Sequence, residues 1–226
     1  MRFVIGTRGS RLALAQAEYV QQKLQNRYPE HEFELRIIKT KGDKIQNKSL
    51  AAIGDKGLFV KEIERELLDG EIQLAVHSMK DMPGEIPDEL CFAGAWERED
   101  PRDVLILREA KSLAELPEGA TIGTGSKRRA FQLLALRPDL KIVDIRGNVD
   151  TRLKKMHEQK LDGIVLAAAG LKRLHMESVI TQYLSTDEMI PAAAQGTLAI
   201  ELRREDRELL TMVNAFSDEK AQRIAQ

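Results

Sequence analysis

Ile72-Gln73-Leu74-Ala75-Val76-His77-Ser78-Met79-Lys80-Asp81-Met82-Pro83 begins apolar and stops at a cluster of ionisable and hydroxyl side chains. The run Ile72 to Val76 reads as a buried strand, and Pro83 forbids its continuation as strand or helix. In an open α/β sheet, ligands sit beyond the carboxyl ends of the strands. Lys80 beside Asp81 therefore sets a cation and an anion at the mouth of a cleft. Such a pair suits a site that holds an anionic substrate and handles a developing positive charge. The alternative is a salt-bridged surface turn.

The same alternation extends outward on both sides. Phe3 to Ile5 reads as a strand, followed by Gly6-Thr7-Arg8-Gly9-Ser10 and a helix with Ala13, Ala17, Val20 and Leu24 on one face, ended by Pro29. Phe33 to Thr40 is a second strand. Lys41 to Lys56, rich in charge and in chain breakers, reads as a loop. Its lysines Lys41, Lys44, Lys48 and Lys56 are either solvated charge or a lid that closes over an anion. A helix opens at Gly57, with Val60, Ile63 and Leu67 on one face and Gly70 as its C′ residue. Charges crowd around Pro101 between Glu97 and Asp103, as at a crossing between domains. Beyond it come strands Val104 to Leu107, Thr121 to Gly123, Ile142 to Ile145, Ile164 to Ala168 and Leu198 to Leu202. Helices lie between them, one at Arg128 to Arg137 and one with Val149, Leu153 and Met156 on one face. No internal repeat of fixed period stands out. Strands alternating with helices predict an α/β fold with mostly parallel sheets, and two such blocks predict two domains with a cleft between them.

Composition narrows the chemistry. The 226 residues suffice for two cores. A formal net charge of -1 gives no global field for nucleic acid or an anionic membrane, so any anion site must come from local clustering. Cys91 is the single cysteine, which excludes an intramolecular disulfide and a cysteine metal cluster. It sits between Leu90 and Phe92 and reads as a small core residue. His31, His77, His157 and His175 are dispersed without metal-site spacing, and His77 reads first as a packed histidine. No stretch approaches a membrane span or a signal peptide, so a cytoplasmic protein is the default.

Three strand-to-helix junctions share one composition: Gly6-Thr7-Arg8-Gly9-Ser10-Arg11, Gly123-Thr124-Gly125-Ser126-Lys127-Arg128-Arg129, and Arg146-Gly147-Asn148-Val149-Asp150-Thr151-Arg152. Helix starts offer unpaired N–H groups and a positive dipole end, glycine admits an anion to the backbone, hydroxyls add donors, and arginine grips carboxylates bidentately. One such junction is an ordinary capped helix; three together predict a polyanion site. The phosphate-loop spacing GxxxxGK[ST] is missing, and Gly123-Thr124-Gly125 lacks the third glycine of a dinucleotide site.

Together these residues resemble the porphobilinogen deaminase (hydroxymethylbilane synthase) family. The likeness rests on Thr7-Arg8 with Ser10, Gly54 to Phe59, His77 to Asp81 with Pro83, Glu97 to Asp103, Gly123 to Arg129, Arg146 to Arg152, Ala168 to Leu174, and Gln195-Gly196. The resemblance implies an enzyme that joins four porphobilinogen molecules into a linear tetrapyrrole for porphyrin and heme biosynthesis, losing ammonia at each step. It implies domains like those of type II periplasmic binding proteins: domain 1 at 1–96 plus 191–214, domain 2 at 97–190, and 215–226 as the start of a linker to a third domain. By the same resemblance Asp81 is catalytic, stabilising the cationic azafulvene and pyrrolenine intermediates. Arg8, Ser10, Lys80, Thr124, Ser126, Arg128, Arg129, Arg146 and Arg152 bind substrate and cofactor carboxylates; Lys56 is the lid candidate of the loop reading above. The family's dipyrromethane cofactor hangs from a cysteine in the third domain. That domain is expected to lie outside this chain, and Cys91 does not match that cysteine. The expected partners are porphobilinogen, polypyrrole intermediates and a separate C-terminal domain, with no metal, nucleic acid or membrane. Gly125 and Lys127 depart from the serine and leucine of many relatives. A non-catalytic two-domain binder of a carboxylated small molecule is the competing reading.

Overall fold

The computed structural model describes residues 1–44 and 60–225. Two compact units divide the chain: Met1–Arg98 with Thr197–Gln226, and Glu99–Gly196. In the first unit, strands β1 (Arg2–Thr7), β2 (Glu32–Ile37), β3 (Leu74–Ser78), β4 (Leu90–Phe92) and a late strand, Leu198–Arg203, form one sheet. Its helices, among the described residues, are α1 (Arg11–Arg27), a one-turn helix at Lys41–Lys44 that opens the stretch read as a loop, α2 (Lys61–Leu68) and two further helices at Arg207–Asn214 and Glu219–Ala225. The second unit holds β5 (Asp103–Leu107), β6 (Thr121–Gly123), α3 (Lys127–Leu136), β7 (Lys141–Val143), α4 (Val149–Glu158), β8 (Gly163–Ala167), α5 (Ala168–Arg173) and β9 (Gln182–Tyr183). In chain order the late elements of the first unit are β10, α6 and α7.

Both sheets have five strands and one topology, β2-β1-β3-β10-β4 and β7-β6-β8-β5-β9. In each, four strands share a direction and the fourth in the order is reversed. The reversed strand is always the first after the chain enters that unit. It starts at the edge where its antiparallel neighbour ends: Leu198 pairs with Ser78, and Asp103 with Ala167. The duplication lies in strand order, which explains why no sequence period betrays it.

Local chemistry sets the element ends. Ser10 caps α1 by accepting from the Ala13 N–H at 3.3 Å, and the helix stops at Arg27, two residues before Pro29. Gly70, at φ +75, lies just past the α2 C-cap Asp69, where a left-handed residue ends a helix. The helix predicted from Gly57 is seen from Lys61; residues 57–59 lie outside the described residues. The strand predicted from Ile72 begins at Leu74, because Gln73 turns its side-chain carbonyl to the Val4 N–H. The strand predicted to Thr40 ends at Ile37, although the Ile38 N–H still donates to Thr7 O at 2.8 Å. The short strands β4 and β9 have too few residues for any periodicity to announce them.

The continuous apolar runs reflect sheets covered on both faces. Leu74 and Val76 point to a core with Val20 and Leu24 of α1 and Met212 and Val213 of α6. Ala75 points to the opposite core with Ile63 and Leu67 of α2. In the second unit Leu105 and Leu107 join Leu133 of α3, while Val104 and Ile106 join Met156 of α4 and Leu171 of α5. Each fully buried large aliphatic side chain contributes roughly 1.5–3 kcal/mol. Cys91 packs half-buried against the α1–α6 core, and burial pushes its thiol pKa up. Among the described residues no helix is long and apolar enough to cross a membrane.

Candidate functional site

In the first unit the candidates gather where β1 and β3, parallel neighbours, both end. Thr7, fully buried, donates its hydroxyl to Ala13 O at 3.1 Å and so pins the strand end to the first turn of α1. Arg8 follows half-buried, then the capping Ser10. Beside it β3 ends at Ser78, whose hydroxyl accepts from buried Gln16 Nε2 at 3.0 Å. A 3₁₀ turn, Met79–Asp81, follows; the Met79 N–H donates to Thr197 O at 3.0 Å, and the Met82 N–H to Met79 O at 3.1 Å. The turn presents Lys80 and Asp81 exposed. Arg8, Ser10, Lys80 and Asp81 thus leave one edge of one sheet, as the ends of two adjacent parallel strands must.

The second unit repeats the arrangement. Thr124 follows β6, buried, with its N–H on Val143 O at 2.9 Å and its hydroxyl accepting from the Ser126 N–H at 3.2 Å. Ser126 caps α3, accepting from the Arg129 N–H at 3.4 Å. The loop after β7 is held by its own cations: Arg152 Nε donates to Gly147 O at 2.8 Å and Lys155 Nζ to Arg146 O at 3.0 Å, and Arg146 Nε lies 3.5 Å from Asp144 Oδ2. Gly147 is required here, since its φ is +122 and a Cβ would lie 2.6 Å from Thr151 Cγ2. Gly125 is likewise confined, because a Cβ would meet Asp144 Oδ1 at 2.8 Å and Ile145 O at 3.2 Å. Nothing in the structure explains Lys127, which is exposed in the first turn of α3.

The two arginines of α3 differ. Arg129 is buried and spends its donors inside the protein, on Asp103 Oδ1 at 2.7 and 3.1 Å and on Val165 O at 3.2 Å. Arg128 is partly exposed; it reaches Asp103 Oδ2 at 2.7 Å and the carbonyl of Ile190. Asp103 is fully buried. Burial opposes its charge, but the Arg129 charge and the hydrogen bonds from Arg129, Gln195 and Arg128 outweigh this and hold its carboxyl below the usual carboxylate range. Lys56 lies outside the described residues.

Three further residues shape these edges without having been given a role from the sequence: Gln16, Asp103 and Gln195. Gln16 carried a signal, being polar within the apolar stripe of α1. Asp103 carried one too, as an acid opening an otherwise apolar strand. In the first unit His77 Nε2 lies 3.2 Å from Glu201 Oε2, both buried, which bears out a packed histidine. Among the described residues no group of three or more His, Cys, Asp or Glu is placed to hold a metal ion.

Twin sheets with a reversed fourth strand, and glycine–hydroxyl–arginine junctions at their carboxyl edges, give the fold of the type II periplasmic binding proteins. Solved structures of that class match: a probable amino-acid ABC transporter extracellular-binding protein from Bacillus subtilis (TM-score 0.57, 11% identity, 95% of this chain and 89% of that one), and an ABC transporter periplasmic substrate-binding protein from Coxiella burnetii (TM-score 0.56, 14% identity, 99% and 95%). At these identities the likeness shows the fold alone. A family model described as porphobilinogen deaminase, dipyromethane cofactor binding domain, matches residues 3–211. Porphobilinogen deaminases are similar along the whole chain: that of Clostridioides difficile is 59% identical over 98% of this chain and 74% of its own length. That of Lachnospira eligens is 60% identical over 100% and 77%. The chain belongs to the porphobilinogen deaminase family, a family of transferases.

Proposed function

We propose that this chain carries the hydroxymethylbilane synthase reaction, the deaminative joining of four porphobilinogen molecules into a linear tetrapyrrole, in the cytoplasm. The observation that carries the reading is the exposed Lys80–Asp81 turn at the end of β3, beside Arg8 and Ser10, in a chain of this family. Each porphobilinogen brings an acetate and a propionate, so a growing product gains two negative charges per ring. Arg8, Lys80, Arg128, Arg146 and Arg152 supply cations for those groups, and Ser10, Thr124 and Ser126 supply hydroxyl and backbone donors at helix starts. Arg129 contributes its charge from a buried position.

In each condensation the aminomethyl C–N bond of porphobilinogen breaks and ammonia leaves. A C–C bond forms to the free α-carbon of the preceding pyrrole, and that carbon loses a proton. Asp81 stabilises the positive charge that develops on the substrate as the C–N bond breaks, and exchanges the protons of the departing and joining groups. Dipyrromethane, when bound, supplies the first free α-carbon. Its acetates and propionates fit the same donors, whereas half-buried Cys91, with its raised thiol pKa, does not fit the covalent anchor. Anchoring falls to a cysteine of a separate C-terminal domain, as the family resemblance implies.

The test is porphobilinogen consumption by this chain alone, with a preformed dipyrromethane primer, and with the C-terminal domain of the Clostridioides difficile relative added. Turnover is expected in at least one mixture. Asp81→Ala should lower it by about 10²-fold or more while porphobilinogen affinity stays within a few-fold. Binding without turnover in every mixture, insensitive to Asp81→Ala, would instead establish the non-catalytic binder.

A further inference from the structure

Asp103 opens β5 directly after the chain enters the second unit, and its carboxylate is completely buried. Four N–H donors converge on it. Oδ1 accepts from Arg129 Nε at 3.1 Å, Arg129 NH2 at 2.7 Å and Gln195 Nε2 at 2.9 Å, and Oδ2 accepts from Arg128 NH2 at 2.7 Å. Gln195, itself fully buried, also donates to Pro101 O at 2.6 Å. It is aimed there by an unusual backbone: Ala194 has φ +52 and Gly196 φ +94. A left-handed alanine persists only where its surroundings over-determine it. The residues entering β5 and those leaving the unit are therefore stitched together on one carboxylate.

The two arginines on that carboxylate are not equivalent. Arg129 has a side chain 7% exposed and adds a bond to Val165 O at 3.2 Å. Arg128 has a side chain 27% exposed and meets protein acceptors with one hydrogen on each terminal nitrogen. A guanidinium has five donors in a rigid plane, so fixing two of them fixes where the others point. Arg129 and Gln195 keep Asp103 compensated while Arg128, held on Asp103 Oδ2, points its remaining donors outward.

We propose that Asp103, steadied by Gln195, is a positioning residue that presets the Arg128 guanidinium for a ligand carboxylate, with Arg129 as its permanent counter-charge. This rests on Arg128 being a carboxylate donor, as read above. The rigid plane spares the ligand the loss of rotamer freedom that a long, mobile side chain would otherwise impose on binding.

The experiment is a double-mutant cycle on the full chain, read as porphobilinogen affinity by calorimetry, with the Arg Nε–Hε resonances followed by NMR. Arg128→Gln should weaken binding about tenfold or more, the scale of a charge-assisted hydrogen bond. Asp103→Asn should weaken it several-fold in the native background and not at all in the Arg128→Gln background, while the Arg128 Nε–Hε signal loses its order. Full additivity of the two losses, or an Arg128 signal unchanged in Asp103→Asn, overturns the positioning role and leaves Arg128 as a ligand contact. No effect of Arg128→Gln overturns both the ligand contact and the positioning role. If Asp103→Asn does not fold, Gln195→Leu, which keeps the carboxylate, takes its place. It should give a smaller loss of the same kind, absent again when Arg128 is missing, and an undiminished affinity overturns the proposal.

Discussion

Arg129→Gln isolates the structural half of the arginine pair. The substitution removes bonds of 3.1 and 2.7 Å to Asp103 Oδ1 and one of 3.2 Å to Val165 O. Asp103 has no exposed surface, so its carboxylate cannot turn to water instead. Stripping one partner from a buried ion pair costs about 3–5 kcal/mol. Arg128 and Gln195 remain on Asp103 at 2.7 and 2.9 Å, which places the expected cost at the lower end, about 3 kcal/mol. A chain of this length loses about 2–4 °C of melting temperature per kcal/mol, so the midpoint should fall by about 6–12 °C. The pH dependence gives a second readout. Because the folded Asp103 pKa is depressed, its contribution is fully present above the unfolded value near 3.9 and is lost as pH falls through the folded value. Removing the Arg129 charge raises that folded pKa toward the unfolded value, so in the variant the acid-side loss is smaller and is complete at higher pH. Urea unfolding followed by far-UV circular dichroism, from pH 7 down to pH 3, measures both. A variant within about 1 kcal/mol of the native chain at pH 7, with a superimposable acid limb, would refute the buried-pair reasoning.

His77→Ala should destabilise by about 1–3 kcal/mol, since it empties a buried site and leaves the fully buried Glu201 without the neighbouring imidazole 3.2 Å away; adding Glu201→Leu should recover part of the loss in the same denaturation assay. Gly123→Ala should cost about 1–3 kcal/mol by overpacking, because its Cβ would lie 2.8 Å from Leu161 Cδ1 and 3.0 Å from Ile164 Cγ2; an unchanged urea midpoint would show that the core gives way freely. Cys91, half-buried and with its thiol pKa pushed up by burial, should react slowly with a disulfide reagent in the native state and rapidly in urea. Intact mass after exposure to porphobilinogen should show no pyrrole adduct mapping to Cys91.

The parts legible from sequence were those written in local periodicity and end chemistry. Apolar runs marked the long central strands, Pro29 and Gly70 marked helix ends, and glycine–hydroxyl–arginine junctions marked the carboxyl edges. What was not legible was set by partners distant in sequence. Reversal of the fourth strand follows from where the chain re-enters each unit, and nothing in Val104 to Leu107 or Leu198 to Leu202 encodes direction. The division of labour between Arg128 and Arg129 was equally hidden. The residues are adjacent and alike, and only the helical rotation between them puts Arg129 against Asp103 and Val165 and leaves Arg128 at the surface. Gln195 acquires its role through backbone strain at Ala194, which an alanine-rich stretch does not announce.

The anion site proposed for a chain of formal net charge -1 needs an explanation, and the pairing pattern offers one. Many of the chain's cations are spent locally: Arg102 on Asp100, Arg137 on Asp139, Lys172 on Glu99. Such pairs add little to any external field. Arginines at strand-to-helix junctions act beside helix starts, whose N–H groups add positive potential, and the first turns of α1 and α3 carry no acid to offset it. The proposed attraction for carboxylates thus rests on placement and not on excess charge. The two acids at these edges then take opposite tasks. Asp103 is sealed from water and saturated with donors, a fixed negative charge that organises arginines and exchanges no proton near neutral pH. Asp81 stands exposed on a three-residue turn, open to solvent and substrate. Exposure suits Asp81 to the proposed role of following the charge of a reacting molecule, and burial suits Asp103 to the separate task of holding the arginines of its own unit still.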